Sequence, residues 1–194
     1  MRIVGGQHKG RSLSAPKGRD TRPTSDRARE ALFNVLEHLP QGPGLDGARI
    51  IDVFAGTGAL GLEALSRGAA HATFVESHRG AIATINANLS ALSESNHATL
   101  LSIKAAALPA PPTPQTGPVD YAFLDAPYDQ GLTVPALITL ADRGWLRPDT
   151  VIMVEVAADE DLFSSDRFKV LKEKKYGAAR VIFLMLKPPP NNLY

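Results

Sequence analysis

The sequence predicts an α/β fold: a seven-stranded, mostly parallel sheet with helices on both faces and an antiparallel strand at its C-terminal end. Three observations predict it. Short apolar runs alternate with segments of helical period from residue 49 to residue 156. That alternation implies βαβ units and a parallel sheet between helical layers. A glycine-rich turn, "DVFAGTGALG" (52–61), joins the first such strand to the first such helix. The last two apolar runs, "FKVLKEKKY" and "ARVIFLML", are joined by the tight turn "YGAA". That is too little chain for a helical crossover, so they pair antiparallel.

Taken in order, residues 2–15 hold two short β-like pieces around "GGQHKG", a small hairpin. "KGRDTRPTSD" is a loop, and Ala28, Leu32, Val35, Leu36 and Leu39 then recur at helical spacing over 26–39. "RIIDVF" (49–54) is a strand, "ALGLEALSRG" (59–68) a helix closed by Gly68, and "ATFVE" (72–76) a strand. Ile82, Ile85, Leu89 and Leu92 share one face of a helix over 78–92, and "ATLLSI" (98–103) is the next strand. Five prolines between 109 and 118 exclude helix and central strand there, leaving an extended loop. Strand 119–124, a helix near 135–143 with Pro135 in its first turn, and strand 150–156 complete the alternation. One domain over 1–194 is expected, with 1–20 as a basic N-terminal β-hairpin extension.

The chain contains no cysteine. This excludes disulfides, thiolate metal sites and a cysteine nucleophile, and with the last of these any pyrimidine carbon-5 methylation through a cysteine adduct. The five histidines show no metal-ligand spacing, so no metal is expected and they read as surface or structural residues. No apolar run reaches the length of a membrane span, and "MRIVGGQHKG" has no signal-peptide core. A cytoplasmic protein, monomeric by default, is the expectation. The net charge of +1 conceals a segregation. Residues 1–30 sum to +5, residues 167–187 to +6, and the remainder to −10. Two basic ends point to a polyanion partner. At the first end, Arg2, Lys9, Arg11, Lys17, Arg19, Arg27 and Arg29 are the candidate nucleic-acid contacts.

Gly56, Gly58 and Gly61 satisfy G-x-G-x-x-G between a strand and a helix. Glycines there let the backbone turn sharply and approach a ligand at a helix N-terminus. Glu76 ends the next strand, where a carboxylate can accept both hydroxyls of a ribose. A nicotinamide dinucleotide would suit such a loop, but Asp52, four residues before the first glycine, occupies a place that a dinucleotide site keeps apolar. An acid aimed into the loop suits a cationic ligand such as S-adenosylmethionine.

"LDAPY" (124–128) supplies the complementary chemistry. An aromatic amine is a poor nucleophile because its lone pair is delocalised into the ring. The Asp125 carboxylate and the Ala126 carbonyl can accept hydrogen bonds from its two N–H groups, which favours the geometry that attacks a methyl group. Pro127 stiffens the turn, and the Tyr128 ring can stack on the base. The stretch resembles the (Asp/Asn)-Pro-Pro-(Tyr/Phe) motif of nitrogen methyltransferases, with Ala126 in place of the first proline.

With these motifs in order, the chain resembles the RsmD family of 16S rRNA guanine-N2 methyltransferases. "MRIVGGQHKGRSL", "TRPTSDRAREALFNVL", "DVFAGTGALGLEALSRGA", "FVE", "FLDAPY" and "KKYGAARVIFLML" carry the resemblance nearly end to end. It implies a Rossmann-like methyltransferase fold, S-adenosylmethionine as cofactor, and the small ribosomal subunit as partner. It also implies a donor site of Arg22, Thr24, Asp52, Phe54, Ala55, Gly56, Thr57, Gly58, Glu76 and Ser77, and an acceptor site of Asp125, Ala126, Pro127 and Tyr128. The acid that relatives carry after the third strand is replaced here by "IKAAAL" (103–108). Adenine-N6 or protein-glutamine methylation, and an impaired RNA-binding relative, are the alternatives.

Overall fold

The structure, a computed structural model, describes residues 1–15, 26–128, 130–160 and 166–187. Helix α1 (Asp26–Glu37) is followed by β1 (Arg49–Val53), α2 (Ala59–Ser66), β2 (His71–Val75), α3 (Arg79–Leu92) and β3 (Ala98–Leu101). Then come β4 (Val119–Asp125), α4 (Thr133–Asp142), β5 (Leu146–Ala157), β6 (Phe168–Tyr176) and β7 (Ala179–Leu186). The seven strands form one sheet in the order β3-β2-β1-β4-β5-β7-β6. All neighbours from β3 to β5 are parallel, and β7 runs antiparallel to both β5 and β6. The seven strands of the sequence reading are all present, and β6 and β7 have the expected boundaries.

The direction of β7 follows from a two-residue connector, Gly177 and Ala178, with Gly177 at φ 61°. Its consequence is that the chain turns back beside β5 and fills the sheet between β5 and β6. The β1 strand has β2 on one side and β4 on the other. Chain order reverses there, and the carboxyl ends of strands at such a point open onto a crevice.

Two cores flank the sheet. Leu32, Phe33 and Leu36 of α1 join Leu62 and Leu65 of α2 and Ile85 and Leu89 of α3 against one face. Leu137 and Leu140 of α4 pack with Leu108 and Trp145 on the other. Trp145 is fully buried, and its indole donates to the Pro109 carbonyl at 2.6 Å. The proline-rich loop is thereby tied to the core.

One strand is longer than its apolar pattern. β5 begins at Leu146 rather than residue 150, because Leu146 pairs with Val119 before a register shift in the ladder. Thr150 supports the irregular stretch, accepting from Arg147 N–H at 2.9 Å and donating to the Val119 carbonyl at 2.6 Å. The hairpin at the N-terminus is reduced to one antiparallel bridge, Arg2 with Ser12, closed by turns through residues 5–10.

Candidate active site

β1 stops at Val53 because the next residue turns out of the strand. Phe54 adopts φ 64°, a left-handed conformation that costs a non-glycine residue roughly 1–2 kcal/mol. Its amide and that of Ala55 both donate to the Val75 carbonyl, at 3.0 and 3.2 Å, which holds the turn against β2. Gly56 and Gly58 also take positive φ, 56° and 78°.

Gly61 serves packing instead. A Cβ there would lie 2.4 Å from Cε1 and 2.8 Å from Cζ of the buried Phe74 ring. Gly61→Ala is therefore expected to destabilise the fold by about 1–3 kcal/mol, since the ring and α2 must separate. Thermal denaturation would show it, and an unchanged midpoint would contradict it.

Asp52 is 1% exposed and accepts the Gly61 amide at 2.9 Å. The carboxylate thus caps α2 from the strand. Burial pushes its carboxyl up to about 8; the Gly61 hydrogen bond opposes the rise, and the negative charges of Asp125 and Glu76 add to it. Glu76 is also engaged by backbone. It accepts Gly56 N–H at 2.9 Å, Ser77 N–H at 2.7 Å and His78 N–H at 2.8 Å. It therefore joins the glycine loop to the N-terminus of α3, and the spare lone pairs of its oxygens remain acceptors.

Asp125 is the last residue of β4, and Ala126, Pro127 and Tyr128 lead away from it. Burial, and then the charge of Glu155, raise the Asp125 carboxyl to about 7. Ala126 is 4% exposed. Pro127 restricts the residue before it to extended backbone, so Ala126 is held although it lacks the ring of a proline. The Tyr128 hydroxyl donates to Glu155 at 2.7 Å.

A cleft of about 1000 Å³ at the carboxyl edge of β1, β2 and β4 brings these groups together. Its wall includes Asp52, the loop from Phe54 to Thr57, Glu76, Ser77 and the four residues Asp125–Tyr128. Gly58 is buried behind the loop, its Cβ position 3.3 Å from Phe74, and is not on the wall. Ile103, Lys104, Ala105 and Ala106 line the end beyond β3, where no acid stands. Arg22 and Thr24 lie outside the described residues, as do Lys17 and Arg19. Glu155 also lines the cleft. The sequence reading missed it; its only signal is an acid inside an apolar strand, "VIMVEV".

The N-terminal basic set divides. Lys9, Arg11 and Arg27 are exposed, and Arg2 is exposed with an ion pair to Asp26 at 3.0 Å. Arg29 does not belong with them. It is fully buried, donates to the Arg2 carbonyl, and pairs with Asp26 at 3.0 Å and Glu63 at 3.5 Å. Helical spacing turns it inward beside Leu32 and Phe33, so it organises the core and offers no surface charge. The N-terminal segment is tied down by polar contacts. Val4 N–H donates to Glu63 at 2.9 Å, Gln7 N–H to the Ser66 carbonyl at 2.7 Å, and Ser14 N–H to Asn88 at 2.8 Å. Asn88 also donates to the Thr57 carbonyl at 3.0 Å, joining this segment to the glycine loop. His8 and His97 clasp Glu94 at 2.6 and 2.7 Å, structural roles for two of the five histidines. Among the described residues no cluster of three His, Cys, Asp or Glu could hold a metal, and no helix is long and apolar enough to cross a membrane.

The second basic end forms the exposed edge strand β6. Lys169, Lys172, Lys174 and Lys175 are exposed and pair with no acid among the described residues. Lysines on an edge also discourage strand addition. Lys174 sits in the same cross-sheet row as the acceptor motif, through Val181 and Glu155 to Asp125.

Residues 1–185 match the family model described as "Conserved hypothetical protein 95". The chain is 40% identical over 162 residues to ribosomal RNA small subunit methyltransferase D of Escherichia coli K12, covering 84% of this chain and 77% of that protein. The Haemophilus influenzae protein of the same name is 36% identical over 179 residues, covering 91% and 89%. The solved structure of yhhF from Escherichia coli superposes with a TM-score of 0.81 at 35% identity, covering 96% of this chain and 98% of that one. A glycine loop and an Asp-Ala-Pro-Tyr turn on one cleft, together with this similarity, show that the chain belongs to the RsmD family of RNA methyltransferases.

Proposed function

We propose that the protein methylates the exocyclic N2 of a guanine in 16S rRNA within the small ribosomal subunit, with S-adenosylmethionine as donor. The observation that carries this reading is the meeting of the Asp125 turn and the glycine loop in one cleft. The cleft fits the donor chemically. Two carboxylates, Asp52 and Glu76, stand on its wall for a cationic amino acid portion and a ribose, and Ile103, Ala105 and Ala106, beside Lys104, provide apolar surface for adenine. Phe54, Ala55, Gly56 and Thr57 would hold the donor's amino acid portion, with Gly58 shaping the loop behind them, and Ser77 would border the ribose. Arg22 and Thr24 complete the site by resemblance.

S-adenosylmethionine, when bound, would supply a methyl group made transferable by its sulfonium, whose sulfur would keep the electron pair of the carbon–sulfur bond, and the proton that N2 loses would leave along its hydrogen bond to Asp125. The chain's own residues make N2 able to attack. Asp125 accepts a hydrogen bond from one N2–H and the Ala126 carbonyl from the other, localising the lone pair. Tyr128 stacks on the base and fixes its plane. Positioning beside an activated methyl accounts for most of the acceleration. The exposed Lys9, Arg11 and Arg27, with Arg2, would contact phosphates, giving affinity without sequence reading. The burial of Ala126 and the restraint from Pro127 favour an active enzyme over an impaired relative. A monomer in the cytoplasm, where bacterial rRNA resides, completes the proposal.

The test is recombinant protein with methyl-labelled S-adenosylmethionine and, in parallel, small subunits lacking the modification, duplex DNA and a release-factor-like protein. Label is expected in 16S rRNA, recovered as N2-methylguanine. Label in DNA or protein alone, or in none of the three, would overturn the proposal.

A further inference from the structure

Glu155 has no part in the chemistry described so far, yet it stands beside Asp125 as its register partner in the parallel ladder of β4 and β5. Register partners on adjacent strands project to the same face, with backbones about 4.8 Å apart. Both residues line the cleft. Two carboxylates side by side in a partly buried site repel one another, and the raised Asp125 carboxyl reflects that, after its burial. Adjacent hydrogen-bond donors would relieve the pair.

Among the bases, guanine presents such donors, N1–H directly beside its N2 amine. Adenine and cytosine place a lone pair beside their amines, and a carboxylate facing that lone pair loses its hydrogen bond and is repelled. Resting on the guanine reading above, we infer that Glu155 is the specificity residue, accepting N1–H while Asp125 accepts from N2. Tyr128 sets its orientation. Its hydroxyl donates to Oε1 at 2.7 Å, while Oε2 takes no hydrogen bond from the described residues and is left for the base. The same side chain therefore both anchors the stacking ring and reads the edge of the base that the ring holds. Discrimination of this kind is strong, because the wrong base leaves a buried acceptor unpaired.

The experiment compares wild type and Glu155→Gln on small subunits reconstituted with guanine or 2-aminopurine at the methylated position. 2-Aminopurine keeps the N2 amine but has a lone pair at N1. Wild type is expected to prefer guanine by roughly 10- to 100-fold in kcat/KM. In the variant, Tyr128 holds the amide oxygen and turns the amide nitrogen to the base, a donor where an acceptor stood. Its rate on guanine should fall by a similar factor, and the guanine preference should collapse or invert. Equal losses on both substrates, or a wild type indifferent to the N1 proton, would overturn the inference. Unchanged donor affinity reports that the variant is folded; should it not be, Glu155→Asp, one methylene short of N1–H, is expected to lower the guanine preference without inverting it. A wild type that labels no 16S guanine would instead overturn the function proposed above, so the two failures are distinguishable.

Discussion

Asp125→Ala is expected to lower kcat by about 10²–10⁴-fold while leaving S-adenosylmethionine affinity nearly unchanged. Asp125 lies on the wall of the cleft at the end of β4, the strand next to β1, so its loss removes the proposed acceptor for N2 while Asp52, Glu76 and the glycine loop stay in place around the donor. Single-turnover rates and donor titration measure the two quantities separately. An unchanged kcat would remove Asp125 from the mechanism. A pH profile adds a second readout. The acid works as an acceptor only when ionised, and its carboxyl is raised to about 7 by burial and by Glu155. The rate should therefore rise with pH through about 7 and level off above it, and a profile flat from 5 to 9 would contradict this. The sign for stability is opposite. Asp52 and Asp125 have folded values of about 8 and about 7 against an ordinary value of 3.8. The folded state binds these protons more tightly than the unfolded state, so the stability they contribute is fully present below about pH 4 and is lost as pH rises through 7 to 8.

Glu63→Ala is expected to destabilise the protein by about 3–5 kcal/mol, with a fall in Tm of roughly 10 °C. Glu63 is fully buried and serves three groups: Val4 N–H at 2.9 Å, Arg67 at 2.9 Å and Arg29 at 3.5 Å. Removing it leaves the buried Arg29 with Asp26 as its one acidic partner among the described residues. Arg67 additionally bonds Glu37 at 2.8 Å and lies 5.0 Å from the centre of the Phe33 ring, so α1 loosens from α2 as well. Because the same residue holds the N-terminal segment beside the glycine loop, donor affinity should fall with stability. Denaturant unfolding and donor titration test both, and a loss below about 1 kcal/mol would show the network to be incidental.

Much of this was legible in the sequence, for local reasons. Alternating strand and helix periods depend on residues a few positions apart, so β1 to β7 could be placed from apolar spacing alone. The "YGAA" turn determined the antiparallel pairing because no crossover fits in it. The glycine loop, the strand-end acid Glu76 and the Asp125–Tyr128 turn are each a single residue or a contiguous stretch, and their chemistry can be read from residue types. Where local pattern misled, a distant partner was the cause. β5 starts early because Leu146 pairs with Val119, and Arg29 is inside because Glu63, from another helix, faces it.

By itself, then, the sequence determined the fold class, the family and the two motifs that face each other, since each is written in short-range periodicity or in a contiguous stretch of side chains. The tertiary structure alone decided that Asp52 caps α2, that Arg29 is core and that Glu155 stands beside Asp125. Those relations come from strand register and from ion pairs between separate elements. Register is set by the packing of whole strands against two cores, and no residue's own neighbourhood along the chain records which side chain will lie across from it.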